Sequence, residues 1–285
     1  MQRIVGAAAA AVVVSLAGIA TAGAQTWRTI DASRQARDTS AVATHIEYAA
    51  GKFDLKPAAG GLLYSTNVRY DADRAEPVAD FDAASRVISL GVHLRGMHLT
   101  NVDDQHDAGS MHAELSGSVP MDLSLELGAV EADLQLGGLR LTDLSLRSGA
   151  ADVTARFDQP NRERLRSMTL QVGAADVKLL DVANSGVSRI VAEVGAGSLS
   201  IDLGGALQHD VDITATLAIG GLKLNVSPDV GLFVDEKTVL GSFHKDGFTK
   251  RADGWYSDGY DKAVRHVRVH LHAFMGGLEL TRVQR

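Results

Sequence analysis

The 285-residue chain carries 28 basic and 35 acidic side chains, a formal net charge of −7, and no cysteine. That balance argues against nucleic acid or an anionic membrane surface as the main partner, and it excludes disulfides, a thiol-linked lipid anchor and a cysteine nucleophile. Apolar residues make up 45% of the chain but aromatics only 5%, with 29 glycines and 5 prolines, which suits a thin interior filled by short aliphatic side chains.

Arg3 opens the chain, an Ala- and Val-rich run follows over Ile4–Ala20, and "TAGAQ" sets Ala22 and Ala24 in a small-x-small cleavage pattern. The run is short for a membrane span and has no basic stop-transfer flank, so it predicts a signal peptide over residues 1–24. Removing Arg3 leaves 28 − 1 = 27 basic and 35 acidic residues, a charge of −8. The expected location is the periplasm, the cell surface or the medium.

Residues 25–115 predict an irregular N-terminal β section. Ile46, Tyr48, Phe53 and Leu55 alternate around Gly51, "YDADRAEPV" with Pro77 reads as an exposed connection, and "RVISLGVHL" resumes strand alternation. The Asn101–Gly109 stretch, with His106, lacks the spacing and bidentate glutamate of a calcium loop and reads as linker.

A repeat begins past Pro120. "MDLSLELGAVEADLQL", "LSLRSGAADVTARF", "MTLQVGAADVKLL" and "IVAEVGAGSLSIDL" share a turn glycine at Gly128, Gly149, Gly173 and Gly195, at intervals of 21, 24 and 22 residues. Each unit alternates with period two on both sides of that glycine, placing Leu123, Leu125 and Leu127, then Leu146, Leu170 and Ala192, on one face. "LGGLRL", "IGGLKL" and "MGGLEL" look like a second corner signature, with Gly220 and Gly276 as the corners of two later coils. A unit of this kind buries its apolar face only against copies of itself. The pattern therefore predicts an all-β, right-handed β-solenoid of coils of about 21–25 residues over residues 116–285, interrupted by an insertion at 230–261. The alternative is an antiparallel β-sandwich, whose hairpins also give strand–turn–strand units.

Candidate sites are few. Glu131, Asp152 and Asp176 each lie three residues after a turn glycine; stacked, they would form an acidic ladder that either holds calcium or accepts hydrogen bonds from its own turns. His266, His270 and His272 share one face of a predicted strand with Arg268, and no acidic partner is evident nearby in sequence. Trp255, Tyr256 and Tyr260 are the one concentration of aromatics. They are the candidate contact for a ligand or partner, or else a cap over the end of the solenoid. The sequence holds no Gly-x-Ser-x-Gly elbow, phosphate-binding loop or His-Glu-x-x-His pair, so no catalytic, cofactor or metal residue is assigned.

The Gly51–Asp82 arrangement, the Gly-Ala corners and the closing "GWYSDGYDKAVRHVRVHLHAFMGGLELTRV" resemble the toast-rack group of bacterial envelope proteins. That group includes the LiaF-like domain of cell-wall-active-antibiotic response proteins and a set of adhesin-type solenoids. The resemblance implies a solenoid fold and a role in envelope homeostasis or surface interaction. LiaF-type regulators carry membrane helices ahead of the domain, where this sequence has a leader. The expectation is an exported, non-enzymatic protein that binds an envelope protein or surface glycan, in envelope stress response or adhesion. A polysaccharide-active enzyme on a β-helix scaffold is the alternative.

Overall fold

The computed structural model describes residues 26–95, 109–241 and 244–282. The expected leader and His106 lie outside the described residues. Fifteen strands make one open sheet: β1 (Trp27–Gln35), β2 (Val42–Ala58), β3 (Leu62–Asp71), β4 (Ala75–Asp82), β5 (Val87–Leu94), β6 (Ser110–Ser116), β7 (Pro120–Gln135) and β8 (Arg140–Arg156) lead. They are followed by β9 (Ser167–Leu180), β10 (Arg189–Asp202), β11 (Val211–Val226), β12 (Gly231–Leu240), β13 (Phe248–Lys250), β14 (Trp255–Ser257) and β15 (His266–Arg282).

The repeat is a stack of long bent strands. β2, β7, β8, β9, β10, β11 and β15 lie side by side in parallel, each bending at its middle so that one strand contributes two arms. Register follows the repeat: Leu146 pairs with Leu170, and Leu170 with Ala192. On the inner face Leu123, Leu125, Leu146, Leu170, Val177, Ile201 and Leu224 are buried, each worth roughly 1.5–3 kcal/mol over leaving it in water. The connections close the third side, carrying Leu136, Leu139, Phe157, Leu165, Val182 and Leu203 into the same core. Asn161 sews one connection to the coil before it, donating to the Leu141 carbonyl at 2.8 Å and accepting from the Leu141 N–H at 3.0 Å. Like-on-like parallel pairing excludes the hairpin sandwich.

The bend breaks the inside–outside alternation in a fixed way. At Gly149–Ala150 and at Gly173–Ala174 two successive residues are exposed before burial resumes, and after Ala218–Ile219 the half-buried Gly220 and Gly221 precede buried Leu222. The glycines fall into two columns, which match the two corner signatures of the sequence at Gly128–Gly195 and at Gly220 and Gly276. Gly128, Gly149, Gly173 and Gly195 stack in the first, where Ala218 follows Gly195. Gly220 belongs to the second, pairing with Gly197 and then with Gly276. The reason is backbone conformation: Gly220 and Gly276 have φ of +138° and +134°, and a Cβ on either would fall within 1.8 Å of the carbonyl oxygen of the layer below. "LGGLRL" is a different device, since Gly138 turns the chain from β7 into β8 with φ +81°.

The N-terminal section splits the coil. β5 pairs with the first arm of β2, and β6 with its second arm. β4 then adds antiparallel to β5, while β3 and β1 add antiparallel in turn beyond β6. Pro77 is not in a connection: it sits inside β4, an edge strand, where its missing N–H leaves no ladder bond open.

At the other end the layer order departs from chain order. β15 slots between β11 and β12, parallel to both. The inward positions explain it: Val267, Val269 and Leu271 of β15 are fully buried, whereas β12 follows Leu232 and Val234 with Glu236 and Thr238. A strand with polar groups on its inner face suits an end layer, and an inward-pointing charge discourages further strands from adding.

The corner yields a stability prediction. Gly220→Ala combines a left-handed φ with a backbone overlap and is expected to cost about 2 kcal/mol or more, lowering Tm by roughly 4 °C or more. Gly60→Ala, at φ +69° with nothing within 4 Å, is expected to cost about 1 kcal/mol. Thermal melts of the two variants against the native chain check the contrast.

Candidate functional site on the outer corner and the C-terminal cap

The acidic ladder forms. Glu131, Asp152 and Asp176 occupy one outward column, with Lys52 before them and Ser198 after. Lys52 Nζ lies 3.6 Å from Glu131 Oε2. Asp176 Oδ1 accepts from the Ser198 N–H at 3.0 Å and from its hydroxyl at 2.5 Å. Its donors therefore come from the next coil, not from its own turn. Among the described residues, no group of three or more acidic, imidazole or thiol side chains is placed to hold a metal ion.

The three histidines alternate along β15 as expected, opposite buried Val267, Val269 and Leu271. The fold supplies the acidic partners that reading along the chain missed. His266 Nδ1 lies 3.7 Å from Asp210 Oδ2, and His270 Nδ1 lies 3.5 Å from Asp235 Oδ2. Arg268 reaches both Asp210 and Asp212. These acids lie about 35 to 60 residues away in sequence, on or just before β11 and β12. The signal for Asp210 and Asp212 was "HDVDI" opening a strand, legible only once β15 is known to pair with β11.

The cap covers the β12 end of the stack. β14 pairs antiparallel with Phe233 and Val234 of β12, and β13 with β14. A chain of ring contacts ties it to the body: His270 to Phe233 at 5.7 Å, Phe233 to Tyr256 at 5.0 Å, Tyr256 to Tyr260 at 4.8 Å, and Tyr260 to His266 at 4.6 Å. Tyr256 donates to Asp253 at 2.8 Å, and that bond holds its phenol above the ordinary value. Arg251 lies 4.2 Å from the Tyr256 ring centre and pairs with Asp261, which lowers the Asp261 carboxyl. Trp255 faces away from this chain, with Lys245 and Lys250 at 4.8 and 5.1 Å from its ring centre. Tyr256 and Tyr260 thus meet, while Trp255 is half-buried against the core and carries the two lysines over its ring.

A feature no motif announced lies on the outer corner. Ile219, Val239, Leu240, Phe274 and Met275 are 43–68% exposed on the three adjacent strands β11, β15 and β12. Val239 and Phe274 line an open groove of about 760 Å³ that also includes Gly173, Gly195 and Ala218.

A family comparison settles the lineage: the profile for the N-terminal domain of toast_rack, DUF2154, matches residues 22–179, more than half of the chain. The chain belongs to the toast-rack family. This toast-rack chain is similar to a solved candidate cell adhesion protein from Clostridium sporogenes, at 12% identity and a TM-score of 0.46, covering 90% of this chain and 100% of that one. It is also similar to candidate adhesins from Bacteroides fragilis (6% identity, TM-score 0.38, 90% and 97% covered) and Parabacteroides distasonis (11%, 0.37, 90% and 98%). No curated protein matches it. No helix among its described residues is long and apolar enough to cross a membrane.

The acidic column gives a direct test. Asp152→Asn with Asp176→Asn is expected to leave the melting temperature equally insensitive to calcium and to chelator, as in the native toast-rack chain. A native melt that rises with calcium, and loses the rise in the variant, reverses the assignment.

Proposed function

We propose that this toast-rack chain is an exported, non-enzymatic solenoid of the cell envelope that binds envelope components or partner proteins, in envelope stress response or adhesion. In this reading residues 1–24 are the cleaved leader, 25–115 an irregular β section, and 116–285 the regular solenoid whose 230–261 insertion carries the contact surface. The carrying observation is the cap: a chain with 5% aromatic residues gathers Trp255, Tyr256 and Tyr260 at one end and lays Lys245, Lys250 and Arg251 over their rings. Aromatic faces flanked by cations suit a sugar ring bearing acidic groups, or an acidic stretch of a partner protein. The toast-rack family match supports a binding role rather than catalysis.

Lys245→Ala combined with Lys250→Ala is expected to weaken retention on isolated cell-wall material by about tenfold or more, with the melting temperature of the body little changed. Unchanged retention would move the contact away from the cap, and turnover of any member of a polysaccharide panel would replace the binding role with catalysis.

A further inference from the structure

We infer that the outer corner of the four layers β10, β11, β15 and β12 is a two-fold dimer interface for a second copy of this chain. The surface departs from ordinary solenoid exteriors. Over the earlier coils its two outward columns hold only glycine and alanine, from Gly128 and Ala129 to Gly195 and Ala196. In the last three layers they enlarge abruptly, to Ala218 and Ile219, then Phe274 and Met275, then Val239 and Leu240. Contiguous exposed apolar groups of this size mark interaction surfaces.

The order of residues selects the occupant. Along the layers the first column reads Gly195, Ala218, Phe274, Val239. A two-fold axis lying across the stack between β11 and β15 reverses that series on the second copy. Val239 then falls over Gly195 of the second copy, and Phe274 over its Ala218, each large side chain entering the groove above a small one. In the second column Leu240 meets the small Ala196, while Met275 meets Ile219 as an apolar pair beside the axis.

The flanking column is matched in charge by the same operation. It reads Glu193, Thr216, His272, Lys237, so reversal sets Glu193 against Lys237 twice. Within one copy neither has a strong partner. Glu193 receives one long bond from Gln171 at 3.4 Å, and Lys237 stands 3.9 Å from Asp235. A lipid surface would require no such order; a self-complementary patch is what an isologous contact demands. This surface is separate from the aromatic cap, and the inference does not depend on the cap's role.

Sedimentation equilibrium of the full mature chain tests it. The native protein is expected to dimerise, and Glu193→Lys or Lys237→Glu alone to weaken association about tenfold or more by setting like charges together. The double variant is expected to recover native affinity within about threefold, since the pair is merely exchanged. Phe274→Asp is expected to leave a folded monomer, with an unchanged far-ultraviolet circular dichroism spectrum and a melting temperature that no longer depends on protein concentration. A native chain that stays monomeric up to its solubility limit, a double variant as weak as the singles, or binding of neutral lipid vesicles through Phe274 by a monomer would each overturn the inference.

Discussion

From β10 to β15 the parallel layers pass the bend with the backbone of one coil nearly against the carbonyl of the coil below. At Gly220 and Gly276 that approach leaves no room for a Cβ, and the φ angles belong to glycine. Other features follow from this closeness. With the bend held at a constant position, the two arms keep their register from β7 to β15 apart from one shift at Met121/Asp122, and the aliphatic rows on their inner faces align without a search for complementary shapes. Short Leu, Val and Ile side chains suffice because the space between the arms is narrow, which is why the chain manages with so few aromatics. The outer face is stitched in the same periodic manner. Arg147 bridges to Glu126 in the layer before it and to Gln171 in the layer after.

Much of this architecture was legible in the residues. Period-two alternation around Gly128, Gly149, Gly173 and Gly195 identified the strands, their inner faces and their stacking, because each repeat must satisfy the same packing problem. The motifs shared with the toast-rack group pointed to the right family. What could not be read was whatever depends on pairing between distant segments. The two glycine signatures were visible, but not that both serve one bend, which spans several residues and uses glycine at two separate positions. Nothing in "VRVHLHAFM" reveals that it lies between β11 and β12, since β15 would alternate identically in any interior layer. Only the polar inward residues Glu236 and Thr238 hint that β12 must be the last of the parallel layers.

The candidate sites divide along the same line. The aromatics of the cap were visible as a local concentration, and Tyr256 with Tyr260 do meet. Trp255, next to Tyr256 on an extended strand, necessarily points the other way, so the three do not form one platform. The acidic partners of His266 and His270 came from β11 and β12, too far along the chain for any motif to connect. The exposed corner was hidden for another reason: Ile219, Phe274 and Val239 look like core residues in sequence, and only the paired outward positions of the bend turn them to solvent.

The interleaving of β15 has a consequence for how the molecule is made. β12 precedes β15 along the chain, but its long-side neighbour is β15 itself. A polypeptide threaded from its N-terminus can complete the layers up to β11 while the rest is still emerging. Beyond that point β12 has nowhere to dock until the final seventeen-residue strand arrives. The last two layers and their cap must then consolidate together, leaving the β11 edge open to stray strands until the chain is nearly finished.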